Sequence, residues 1–143
     1  MILVDSNLLI YASTQCPEQP AATAWLDSVL GGTIRVGLPW QSLIAFIRVA
    51  TNRRLYRKPL LMEEATGEIA RWLEQPNVWI PLPGKDHMTY LNRALLDVSR
   101  DSRVVMDAHL AALALEHGLT VYSADNDFAR FNGLKWVNPL KNI

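Results

Sequence analysis

A three-layer α/β/α domain around a central parallel sheet of about four or five strands is the fold this sequence predicts. Three observations predict it. The strand-like segments are short continuous apolar runs, such as Ile2-Leu3-Val4, instead of two-residue alternations, and such runs mark strands covered on both faces. Segments of helical periodicity separate them, as the crossovers between parallel strands require. At 143 residues, half of them apolar and a fifth charged, the chain suits one compact domain over residues 1–143 with a core of its own.

The first strand is Ile2-Leu3-Val4, ended by Asp5. After Pro20, residues 21–30 are helical in pattern and stop at Gly31-Gly32, where glycine withdraws helix propensity. Residues 34–37 form the second strand. Pro39 opens a helix with Leu43, Phe46, Ile47 and Ala50 at helical spacing, which ends near Asn52-Arg53-Arg54. Residues 61–74 make another amphipathic helix, closed by Pro76, whose ring cannot continue one. Residues 77–80 are the third strand. The helix over 86–98 puts Tyr90, Leu91, Ala94, Leu95 and Val98 on its buried side, and the polar run Ser99-Arg100-Asp101-Ser102-Arg103 is a loop. Residues 104–117 are helical and stop at Gly118, a C-cap residue. Residues 119–123 form the fourth strand and 135–138 a short fifth. Leu8, Leu9, Trp40 and Phe46 suit either the core or a dimer seam, and each is read as core. No internal repeat or linker divides the chain.

Composition narrows the function classes. Fourteen basic and fourteen acidic residues cancel, so any nucleic-acid partner has to be held by local charge placement and not by a global field. The single cysteine, Cys16, forms no internal disulfide, which suits a reducing compartment. Met1 runs directly into the first strand without a basic segment or cleavage motif, and no apolar run approaches the roughly 20 residues of a membrane span. The expectation is a cytoplasmic domain with no membrane association.

In open α/β sheets ligands bind beyond the carboxyl ends of the strands, and acids gather at that edge here. Asp5 closes the first strand; Asp125 and Asp127 follow the fourth. Asp107 lies in the first turns of the helix leading into the fourth strand, where Val104, Leu110, Ala111 and Ala114 share its face. A carboxylate on an apolar face is unfavourable unless it is paired with a base such as Arg100 or Arg103, or bound to a metal. Asp5 can instead cap a following helix, and Asp125 or Asp127, above all Asp127, can cap a short helix over 128–131. Taken together, converging carboxylates repel one another, and a hard divalent cation relieves the repulsion. Mg²⁺ takes a few carboxylates and keeps several waters. Such a site can hold a phosphodiester oxygen and acidify a water. There is no Gly-rich phosphate loop, and the three histidines lack zinc-ligand spacing.

The segments Met1-Ile-Leu-Val-Asp5-Ser-Asn-Leu-Leu-Ile-Tyr11, Arg48-Val-Ala-Thr-Asn52, Asp107-Ala-His-Leu-Ala-Ala-Leu-Ala and Ser123-Ala-Asp125-Asn-Asp127-Phe128, in that order, resemble the PIN-domain toxins of the VapC family. The resemblance spans essentially the whole chain. It implies Mg²⁺- or Mn²⁺-dependent cleavage of RNA, a homodimer, and a cognate antitoxin that occludes the active site. It makes Asp5 and Asp107 the main metal ligands, with Asp125 completing the acidic cluster, at times through water. Asn7, Gln41, Ser123 and Asp127 stand beside these as supporting candidates. One position departs from the pattern. Many family members carry a glutamate where Ala45 stands here, and Gln41, one turn earlier on the same face, brings no charge.

For the nucleic acid itself, Arg48, Arg53 and Arg54 are the candidate contacts, in a basic cluster with Arg57 and Lys58 around Tyr56. A solvated loop is the plain alternative. Two other functions compete. An aspartyl-phosphate phosphatase or receiver domain also places an acid after its first strand, but Asn7 stands where the phosphatase wants a second aspartate, and Asp107 has no place in either. A PIN-type RNA- or protein-binding module without catalysis is the other, and Ala45 favours it.

Overall fold

The computed structural model describes residues 1–99 and 101–141. These residues form β1 (Ile2–Val4), α1 (Ser6–Ser13), α2 (Gln19–Leu30), β2 (Val36–Gly37), α3 (Trp40–Ala50), α4 (Met62–Leu73), β3 (Val78–Trp79), α5 (His87–Asp97), α6 (Val105–His117), β4 (Thr120–Tyr122) and β5 (Trp136–Val137), with 3-10 turns at Ser102–Val104 and Asn126–Arg130. All five strands are parallel, in the order β3-β2-β1-β4-β5. Ile2 pairs with Val36 on one side and with Thr120 on the other, so β1 occupies the centre of the sheet.

The central strand divides the core. Ile2 and Val4 join Leu8, Leu43, Phe46 and Trp72 on the face covered by α1 to α4. Leu3 joins Ala94, Ala108, Leu113 and Phe128 on the face covered by α5 and α6. Each large apolar side chain withdrawn from water contributes about 1.5–3 kcal/mol. Phe46 and Trp72 meet with ring centroids 4.9 Å apart, in a tilted arrangement that adds about 0.5–1.5 kcal/mol to area burial. In α6 the run from Leu110 to Ala114 is buried; its alanines let the helix lie close to α5 and the sheet. Gly118 ends α6 in the left-handed conformation, with φ 68°, as expected of a C-cap glycine.

Several boundaries differ from the sequence expectation. A full helix, α1, follows Asp5 directly; its apolar residues Leu8, Leu9 and Ile10 are consecutive and all buried, so no helical period announces it. Helix α2 begins at Gln19, with Pro20 in the first turn, where a missing N–H leaves no bond unmade. The expected loop over 99–103 contains a 3-10 turn, and Arg100 lies outside the described residues. Leu8, Leu9 and Phe46 are core, but Trp40 is 48% exposed: it is the first residue of α3 and leaves the packed face. No helix among the described residues is long and apolar enough to cross a membrane.

Candidate active site

The carboxyl ends of β1 and β4 lie side by side, and short polar side chains lock them together. Asp5 is the N-cap of α1, its Oδ1 accepting from the Ser6 N–H at 2.8 Å. Its Oδ2 accepts from Ser123 Oγ at 2.7 Å. Ser123 Oγ in turn accepts from Asn7 Nδ2 and from the Asp125 N–H, each at 3.0 Å, while Asn7 Oδ1 accepts from the Ala124 N–H at 3.2 Å. Ser123 is fully buried, so this bridge works without competition from water. Asp125 Oδ1 accepts from the Asp127 N–H at 2.9 Å and caps the following 3-10 turn. The capping role expected above all of Asp127 therefore belongs to Asp125, because the chain turns immediately after β4.

Asp107 reaches the same edge from the first turn of α6. Asp107, Asp125 and Asp127 can each present an oxygen such that the three lie within 4.8 Å of one another. Asp5 stands outside that trio but acts on it electrostatically. Burial, and then the charges of Asp5, Asp125 and Asp127, push the Asp107 carboxyl up to about 7. Burial also raises Asp5; the hydrogen bonds from Ser123 and Ser6 oppose the rise, and Asp125 adds to it. Among the described residues no cation pairs with Asp107: Arg103 lies 3.1 Å from Asp101, and Arg130 lies 2.9 Å from Asp101 and 3.7 Å from Asp127. Convergent, under-neutralised carboxylates are a donor set suited to a hard divalent cation, with oxygen ligands and room for water.

Beside the acids opens a cavity of about 570 Å³. Gln41, Ala45 and Arg48 line it from α3, together with Asp5, Ser6 and Asp107, so position 45 does face the acid edge. Arg53 and Arg54 are exposed on the turn after α3 and lie outside the cavity wall. Sequence reasoning missed two features here. Trp40 lines the cavity. A partly buried chain of side chains also fastens another wall: Glu116 Oε1 accepts from the Gly84 N–H at 2.7 Å, its Oε2 lies 2.9 Å from His87 Nδ1, and His87 Nε2 lies 3.1 Å from His109 Nδ1. His117 Nε2 meets the Leu82 carbonyl at 2.7 Å. These bonds join residues 22 to 35 positions apart, and no local pattern signals them.

Known proteins share this architecture. The PIN domain family matches residues 2–134. Ribonuclease VapC37 of Mycobacterium tuberculosis is 41% identical over 140 residues, 97% of each chain. Among solved structures, VapBC2 from Rickettsia felis, bound to a DNA fragment from the promoter, superimposes with a TM-score of 0.70 at 15% identity and covers 96% of this chain and 98% of that one. VapC20 of Mycobacterium tuberculosis, a sarcin-ricin loop cleaving toxin, gives 0.64 at 18% identity over 90% and 93%. At such identities the two structures speak for the fold.

Proposed function

The chain belongs to the PIN-domain family, and from that premise we propose that it is the toxin of a toxin–antitoxin pair, an endoribonuclease that hydrolyses RNA phosphodiester bonds. The observation that carries the reading is the approach of Asp107, Asp125 and Asp127 to within 4.8 Å beside Asp5, in a chain whose full-length relative is a ribonuclease. Family membership also sets aside the aspartyl-phosphate alternatives.

Asp5, Asp107 and Asp125 are the residues we assign to a divalent cation, with Mg²⁺ as the resident ion and Mn²⁺ able to replace it. When bound, such an ion acidifies a water and offsets charge on a phosphodiester oxygen. The chain's own contribution is placement. Ser123 and Asn7 fix Asp5 and the backbone of Asp125, Asp127 adds charge at the rim, and Gln41 offers a neutral oxygen from α3. Near pH 7 the Asp107 carboxyl retains a proton part of the time, so cation binding must displace it and strengthens as pH rises. Arg48, Arg53 and Arg54 hold backbone phosphates. A small cognate antitoxin covers the site, the active form is a homodimer, and the place of action is the cytoplasm.

A second reading, an RNA- or protein-binding module that does not cut, is favoured by one feature: the cavity presents the methyl group of Ala45 where many relatives carry a carboxylate. Incubating the purified protein with RNA in Mg²⁺, in Mn²⁺ and in chelator separates the readings. The proposal expects cleavage in either metal, none in chelator, and none from Asp5→Asn or Asp107→Asn. RNA bound but left intact supports the second reading, and phosphate released from a simple phosphomonoester without RNA cutting overturns both.

A further inference from the structure

Two of the converging acids, Asp125 and Asp127, sit on a connection with little regular structure to hold it in place. Between β4 and β5 the chain runs through residues 123–135 with only the 3-10 turn Asn126–Arg130. Phe128 and Phe131 anchor this connection to the core beneath it, and on the strand side Ser123 Oγ accepts from the Asp125 N–H. Like charges gathered at one edge push such a turn outward, so its far side needs a tie of its own. Two carboxylates that stand outside the acid trio provide it. Asp97, the last residue of α5, accepts from the Asn132 N–H at 2.9 Å and from Asn132 Nδ2 at 3.0 Å. Asp101 Oδ2 accepts from Arg130 Nη1 at 2.9 Å, and that same nitrogen lies 3.7 Å from Asp127 Oδ1.

Asp101 also faces the other way. Its Oδ1 accepts from the Arg103 N–H at 3.2 Å and caps the Ser102–Val104 turn. That turn runs straight into α6, whose first turn bears Asp107. One carboxylate therefore couples the start of the helix that delivers Asp107 to the turn that delivers Asp125 and Asp127, with Arg130 as the link. Arg103 bonds Asp101 as well, but its side chain is 88% exposed against 38% for Arg130, and among the described residues it pairs with no acid of the edge. Between them Arg103 and Arg130 hold the Asp101 carboxyl down at about 2, so the link stays charged at any pH near neutrality.

We propose that Arg130 is a positioning residue of the nuclease site: held by Asp101, it fixes the turn of Asp125 and Asp127 against the turn that launches α6, so that the acids converge before a cation binds. This assignment deepens the ribonuclease reading, on which it rests. The role is one of geometry, because an ion pair this exposed adds little to global stability, whereas groups that orient metal ligands from outside change metal affinity or activity by about 10–100-fold. Charge alone has the opposite consequence. Arg130 is a cation beside a cation site, so deleting its charge should by Coulomb attraction tighten divalent binding, while losing the link loosens it. The two effects differ in sign.

The test compares the full chain with its Arg130→Gln, Arg130→Lys and Arg103→Gln variants, with Mn²⁺ as the probe. Calorimetry reads affinity. Hydrogen exchange in chelator reads the Asp127 N–H, which donates to Asp125 Oδ1 at 2.9 Å. Arg130→Gln should weaken Mn²⁺ binding about tenfold or more and speed exchange at Asp127, with little change in the melt in chelator. Arg130→Lys should recover most of the affinity, because a single nitrogen of Arg130 serves both Asp101 and Asp127. Arg103→Gln should bind Mn²⁺ as the wild type does. Tighter or unchanged Mn²⁺ binding by Arg130→Gln overturns the assignment and leaves Arg130 a surface charge. So does a loss that Arg103→Gln matches, or one without faster exchange at Asp127. If Arg130→Gln does not fold, Asn132→Ala frees the same connection without altering charge and is held to the same two readings. Mn²⁺ binding that needs both Asp107 and Arg130, in a chain that cuts no RNA, keeps the assignment and sinks the ribonuclease reading. Binding indifferent to Asp107→Asn overturns the cation site and the assignment with it.

Discussion

Replacing Asp107 with asparagine should make the metal-free protein more stable and the metal-loaded protein less so. The Asp107 carboxyl is held at about 7 against an ordinary 3.8, and each pKa unit corresponds to 1.36 kcal/mol, which bounds the destabilisation at about 4 kcal/mol. The side chain is only half-buried, and solvent screening reduces the figure to about 1–2 kcal/mol. Below pH of about 4 the group is protonated whether the chain is folded or unfolded, and asparagine gains nothing. Between about 4 and 7 the unfolded chain releases a proton that the folded chain keeps, so the wild type loses stability progressively; above about 7 the full penalty applies. Thermal melts in chelator should show Asp107→Asn roughly 3–8 °C above wild type at pH 8, with the gap closing at pH 4. Added Mg²⁺ or Mn²⁺ should raise the wild-type melt and leave the variant nearly unmoved, since a neutral amide oxygen is a weaker hard-cation ligand. A variant less stable than wild type in chelator at pH 8, or a gap that does not close on acidification, would refute the claim that Asp107 carries uncompensated charge.

Ala45→Glu, which faces the same cavity, should tighten Mg²⁺ binding and lower the metal-free melting temperature; equal shifts with and without metal would show that position 45 does not act on the cation. Ser123→Ala removes the hydroxyl shared by Asp5, Asn7 and Asp125 and should cost about 1–3 kcal/mol in denaturant unfolding. The same loss should drive the Asp5 carboxyl further up, so that the acid limb of the cleavage pH profile moves to higher pH; an unmoved limb would limit Ser123 to a packing role. Replacing both Arg53 and Arg54 with alanine should raise KM and flatten the salt dependence of RNA binding by roughly 0.7 in slope for each phosphate no longer neutralised. An unchanged slope returns them to the solvated surface.

The parallel sheet was legible because burial on both faces leaves a plain sequence mark: Ile2-Leu3-Val4 alternates between two cores, and so each of its residues is apolar. The place of Asp107 at the acid edge was legible for the opposite reason, as a charge among Val104, Leu110 and Ala111 for which only Arg100 and Arg103 offered a partner nearby in sequence, and Arg103 pairs with Asp101 instead. Helix α1 was announced only by its cap, Asp5; its extent escaped because Leu8, Leu9 and Ile10 are buried consecutively and follow no period. The division of labour between Asp125 and Asp127 escaped because capping depends on the direction in which the chain leaves β4, which composition does not encode. Trp40 was read as core because a large apolar residue at the start of a helix usually is; only the placement of Pro81, Leu82 and Pro83 around the same cavity shows a wall left open to solvent. The Glu116–His87–His109 bonds depend entirely on how α5 docks on α6.

The hydrogen bond from Ser123 to Asp5 spans 118 residues of chain, and that separation has a consequence in time. Asp5 leaves the ribosome long before its partner: at synthesis rates of about 5–20 residues per second, the interval is on the order of ten seconds. During that interval β1 can pair with β2, but it has no β4 beside it, and Asp107 and Asp125 are still to come. A nascent chain therefore carries no assembled acidic edge until nearly all of it has been made. For a protein whose activity is directed against RNA, the translating messenger and ribosome are the nearest RNA of all. The order of residues along the chain delays the danger until the product is ready to leave them.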